Sequence, residues 1–110
     1  MTETKVIAIA EQFSKTPAGR HLTDGPFSGE NFRETFLLPA LQDGSNVEVN
    51  LDGTLGYGSS FLEEAFGGLV RAGLRQADLK RRLKIKSTRK FYENRIWRYI
   101  ADAELLHKAN

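Results

Sequence analysis

Residues 47–70 read VEVNLDGTLGYGSSFLEEAFGGLV, and the architecture of the chain follows from them. Val47, Val49 and Leu51 alternate with Glu48 and Asn50, the period of a strand buried on one face only. A glycine-rich connection follows over residues 52–58. Ser59 and Ser60 then open a helix running to about Gly73. Its Phe61, Leu62, Ala65, Phe66, Leu69 and Val70 form a broad apolar stripe. Ser60-Phe61-Leu62-Glu63 fits the capping-box pattern. Capping alone would explain the serines, contributing about 0.5–2 kcal/mol.

The same periodicities place the neighbouring elements. Leu83-Lys84-Ile85-Lys86 alternates like a second half-buried strand, and Lys5 to Ala10 (KVIAIA) reads as a third. The stretch SKTPAGRHLTDGPFSG, residues 14–29, is long for a loop without structure of its own, which places a short strand at Arg20–Thr23 beside the first. Ser28 to about Gln42 reads as a helix. Ser28 is its N-cap, Glu30 and Glu34 lie near its positive end, and Phe32, Phe36 and Ala40 share one face. Pro39 should kink or end it. Thr88 to Leu106 is helical, with Tyr92, Ile96, Tyr99, Ile100 and Ala103 in a stripe. The expected order is β-β-α-β-α-β-α: a two-layer α/β sandwich of about four strands with about three helices on one face. Its other face should present Glu48, Asn50, Lys84 and Lys86.

A chain of 110 residues supports one domain. The absence of cysteine excludes disulfides, thiolate metal sites and a cysteine nucleophile. The apolar run Val6–Ala10 is too short for a signal-peptide core, and no run approaches a membrane span, so a cytoplasmic location is expected. Charge is divided unevenly. Residues 1–70 carry four Lys/Arg against ten Asp/Glu, and residues 71–110 carry twelve against four, giving −6 and +8. Such a split bears on partners, including another copy of the chain.

Catalysis finds little support in this pattern. The histidines, His21 and His107, stand far apart in sequence, and Glu63 and Glu64, adjacent on a helix, should point in different directions. No cluster suggests a metal. No lysine precedes the serines as a P-loop demands, and the dinucleotide-binding glycine spacing is absent, so no cofactor is expected.

Several motifs together carry a resemblance: Asp52-Gly53, Gly58-Ser59-Ser60-Phe61, Glu63-Glu64 and Phe66-Gly67, with Gly25-Pro26-Phe27-Ser28-Gly29-Glu30, Phe32-Arg33 and Leu38-Pro39-Ala40-Leu41 before them. Over roughly residues 5–100 the chain resembles the bacterial STAS-like family of unknown function, relatives of the STAS domains of anti-sigma-factor antagonists. That resemblance implies a non-enzymatic regulatory module that binds proteins. In the antagonists, a serine at the strand–loop–helix junction is phosphorylated by a histidine-kinase-like ATPase. By position that serine is Ser59. Gly58 stands where the antagonists carry an acid, and Phe61 where they carry a glycine. The implied binding surface comprises Gly56, Tyr57, Gly58, Ser59 and Ser60, with Glu63 one turn on and Arg20 as a neighbour.

The alternative is a nucleic-acid-associated protein using the basic segment Lys80, Arg81, Arg82, Lys84, Lys86, Arg89 and Lys90. Phosphates attract such a run, and Phe91, Tyr92 and Trp97 lie nearby to stack on bases, although Tyr92 also fits the core stripe.

Overall fold

In the computed structural model, which describes residues 3–109, the alternating segment is the middle strand of a three-stranded sheet. The strands are β1 (Thr4–Ala8), β2 (Asn46–Asn50) and β3 (Leu83–Lys86), in that spatial order and all parallel. Register places Ile7, Val49 and Ile85 in one row, and Val6, Glu48 and Lys84 in the next. The first row is buried. The second faces outward, with Asn50 and Lys86 in the row beyond, as the alternation requires.

A single turn, α1 (Ile9–Gln12), follows β1. Helix α2 covers residues 29–42 and α3 residues 59–71. Then come α4 (Gln76–Arg82) and α5 (Lys90–Ala109). Ser28 caps α2 as expected: its hydroxyl accepts the Asn31 N–H at 3.1 Å. Both α2 and α3 contain a π-helical turn, Arg33–Leu37 in the first and Glu63–Gly67 in the second. In α2 this explains why Pro39 does not end the helix. The Leu38 N–H reaches back five residues to Arg33 O, and the widened turn carries the backbone past a residue with no N–H to donate.

The core lies between these helices and the inner sheet face. Phe32, Phe61 and Phe66 are fully buried, and Phe13 packs among Phe27, Phe32, Phe36 and Phe61 with ring centroids 5.3–6.4 Å away. Ile96 and Ile100 of α5 close the other side. Helices α2 and α3 meet backbone to backbone at Gly29. A Cβ there would overlap the Phe61 carbonyl oxygen and lie 3.1 Å from the Ala65 nitrogen.

Two expectations are corrected. Arg20–Thr23 is not a strand, so the sheet has three strands and not four. The Asp24 carboxylate takes the N–H groups of Arg20 (3.1 Å) and His21 (2.8 Å), and Glu30 takes that of Leu22 (3.0 Å). Side chains thus occupy the donors a ladder would need, and Leu22–Asp24 closes as a 3-10 turn. The basic segment before β3 is a helix, α4. Its first N–H, on Gln76, is accepted by the buried Glu104 carboxylate of α5 at 2.9 Å.

Gly29→Ala therefore tests the packing. Helix propensity alone would favour alanine by about 1 kcal/mol, whereas overpacking at this contact should cost about 1–3 kcal/mol. Thermal unfolding followed by circular dichroism should show a lower Tm. An unchanged or raised Tm would mean the helices have room to part.

Candidate functional site

The junction after β2 is built on two tyrosines. Tyr57 is buried, donates its hydroxyl to Leu51 O at 2.7 Å, and packs edge-on to Tyr92 with centroids 5.2 Å apart. The Tyr92 hydroxyl accepts the Tyr57 N–H at 3.2 Å. Burial pushes the Tyr57 phenol up to about 12, so it stays protonated. Gly56 has φ +144° and passes close to the Tyr92 hydroxyl, a conformation and an approach that favour glycine. Asp52 accepts both the N–H (2.9 Å) and the hydroxyl (3.0 Å) of Thr88, tying the loop to the end of β3.

On this anchored loop the serines are exposed. Gly58, in an extended conformation, occupies the N-cap position of α3, and no side chain caps the helix. Ser59 and Ser60 occupy the first two helical positions. The expected capping box is not formed, because the helix starts one residue before Ser60, with Gly58 at the cap, and the Glu63 carboxylate is engaged by arginines.

Glu63 and Glu64 converge. Arg20 Nη1 lies 2.5 Å from Glu63 Oε1 and 3.3 Å from Glu64 Oε1. Arg71 holds both Glu63 oxygens, at 2.8 and 3.1 Å, and stands 3.6 Å from Glu64. Arg33 donates to Glu64 Oε2 at 2.8 Å and to the Glu64 carbonyl at 2.5 Å. Neighbouring residues on a helix point apart, but these long side chains bend toward shared guanidinium groups. Arg33 also pairs with Glu34 at 3.0 Å, so three arginines meet three glutamates and the cluster is neutral. The Arg33–Glu64 pair is the buried part of it: both side chains are only about a tenth exposed. Gly68 leaves the space that the Arg33 guanidinium fills.

Of the residues singled out from sequence, Arg20 and Glu63 are in contact, one helical turn beyond Ser59. Tyr57 is an anchor beneath the surface. Arg33 and Arg71 were missed. No local spacing marks Arg33, 31 residues before Glu64, and Arg71 is two turns from Glu63 along the helix, beyond the usual ion-pair spacing.

The basic segment is dispersed. Arg82 turns inward and donates to Leu41 O and Ser45 O, bracing the end of α2. Arg81 pairs with Asp78 and Lys90 with Glu93. Lys80, Lys84 and Lys86 are exposed, while Arg89 borders a small hollow at the far end of β3 with Asp52 and Tyr92. Among the described residues no group of three or more His, Asp or Glu side chains is placed to hold a metal ion, and no helix is long and apolar enough to cross a membrane.

The sequence matches, over residues 28–92, the family described as the STAS-like domain of unknown function (DUF4325). The chain belongs to this family. The matched span of the STAS-like domain runs from the cap of α2 to Tyr92, so it contains the anchored loop and five of the six charged residues of the cluster. Arg20 reaches the cluster from outside it. No curated protein and no solved structure matches the chain.

The cluster makes stability depend on acid. Desolvation pushes the Glu63 and Glu64 carboxyls up, but the arginines outweigh it through hydrogen bonds and charge, holding both below the ordinary glutamate range. The unfolded chain then takes up protons first as pH falls. The contribution is fully present above the unfolded glutamate pKa of about 4.3. It is lost as pH drops through the lower folded values. Glu64→Gln, which breaks the buried pair, should cost about 3 kcal/mol at pH 7 and should flatten the fall of Tm with acid. Parallel pH profiles for the two proteins would place the acid sensitivity elsewhere.

Proposed function

We propose that this STAS-like domain is a non-enzymatic regulatory module that binds a protein partner through residues 56–60 and the first turn of α3, and that modification of Ser59 switches the contact. One observation carries the reading: the Ser59 hydroxyl is exposed at the start of a helix it does not cap. The serine is free for a partner or a modifying enzyme, and Tyr57 fixes the loop that presents it. Leu55, on the same loop, is 84% exposed and offers an apolar contact.

A phosphate on Ser59 would bring about −1.5 to −2 charge. The first N–H groups of a helix lack partners within it and favour an anion. The adjoining cluster is neutral overall, and its Arg20 holds Glu63, one turn on from Ser59. The acidic pair beyond Ser59 is thus already neutralised and does not oppose the modification. A partner that packs on a small neutral hydroxyl would meet a charge in its place. The resemblance to the anti-sigma-factor antagonists makes a histidine-kinase-like ATPase the partner to look for, in the cytoplasm. The enzyme reading has less support: His21 faces Glu30 at 3.5 Å, and His107 lies exposed near the end of α5.

Affinity capture from native lysate, with and without ATP, tests this. Ser59→Ala should change stability by no more than about 0.5 kcal/mol and keep the partner, whereas Ser59→Glu should release it. Intact mass should show phosphate on the native chain and none on Ser59→Ala. An unmodified mass, with the same proteins captured by Ser59→Glu, would sink the switch.

A further inference from the structure

We infer that the domain carries a second binding surface, separate from the serine junction: a strip of four lysines, Lys108, Lys80, Lys84 and Lys86, that takes the phosphate backbone of a double-stranded nucleic acid. The strip is assembled from three elements. Lys108 of α5 and Lys80 of α4 border one hollow of about 400 Å³. Lys80 and Lys84 border the next, of about 490 Å³. Lys84 and Lys86 stand two residues apart on the open sheet face, about 7 Å along the strand. Because α4 ends where β3 begins, Lys80 and Lys108 lie at the end of the sheet away from the serine loop, and the strip runs from there along the open face to Lys86, the strand partner of Asn50.

None of these lysines pairs with a carboxylate among the described residues, whereas Arg81 and Lys90 of the same sequence run do. The nearby Glu104 is already occupied by the Gln76 N–H at 2.9 Å and by Arg75 at 3.2 Å. Among the described strand residues, Glu48, the cross-strand neighbour of Lys84, is the one opposing charge on the open face, and it is half-buried.

The chemistry of the strip selects its ligand. Neither hollow has an aromatic side chain in its lining. A protein interface would lack the aromatic anchors usual at its core, and a single strand would lack a platform for stacking its bases. Tyr92 is buried against Tyr57, and Phe91 lies under Arg95 past the far end of β3. What remains is a row of point charges, which suits the regular phosphates of a duplex and reads no sequence.

Fluorescence anisotropy of the full chain with a short labelled DNA duplex of mixed sequence provides the test. Four lysine contacts predict a slope of log K against log salt of about −3.6, so affinity should fall on the order of 10²-fold between about 50 and 200 mM salt. Lys80→Gln and Lys84→Gln should each reduce the slope by about 0.9. Lys15→Gln, in the loop beside Leu55, should leave it unchanged. All three positions are exposed, and circular dichroism would verify that each variant folds. The proposal fails if the duplex does not bind at the low-salt end, or if Lys15→Gln weakens it as much. It fails equally if the matching single strand binds as tightly, or if polyglutamate competes as well as duplex, which would identify an acidic protein surface as the ligand.

Discussion

Helices α2 and α3 touch backbone to backbone at Gly29, where the Phe61 carbonyl occupies the space a side chain would need. That approach puts Arg33 within reach of the Glu64 carboxylate and carbonyl, and Gly68 opens the gap that the guanidinium enters. A buried ion pair of this kind adds little net stability over an apolar pair of equal volume, but losing one partner leaves a charge stranded. It therefore acts as a constraint on geometry. The two helices can lie together in this register and in few others, and Arg20 and Arg71 complete the charge balance from the surface.

The same constraint positions the candidate site. Ser59 and Ser60 begin the helix whose next turn is clamped by three arginines, while Tyr57 and Tyr92 clamp the loop before it. The serines are held on both sides and are exposed between them. A rigid exposed group lets a partner discriminate a small chemical change, because no rearrangement of the loop can absorb it.

The sequence was most legible where a single element carried the signal. Val47–Leu51 and Leu83–Lys86 alternate because one sheet face is buried and the other open, and the structure follows that pattern residue by residue. Ser28 caps its helix as read. What stayed hidden depends on residues distant in sequence. Helix α4 takes its cap from Glu104, 28 positions away, so within Gln76–Arg82 only Asp78 in the first turn and the basic last turn mark it. The strand expected at Arg20–Thr23 gives way to turns held by Asp24 and Glu30. The arginine cluster spans loop and two helices, and a wide helical turn ahead of Pro39 removed the break that proline ordinarily imposes.

The sheet's being entirely parallel also shapes how the chain reaches this state. No two of its strands can meet through a short hairpin, since each pairing joins residues far apart: Thr4 with Asn46 and Val47 with Leu83, 42 and 36 positions distant. The entropy of closing both loops is spent before either ladder can return it. Assembly is thus slower than for a helical bundle of equal length, and the central strand waits on the helices that bring its neighbours back. During that interval β2 presents two unpaired edges, and its Glu48 and two asparagines keep the waiting strand from being uniformly apolar.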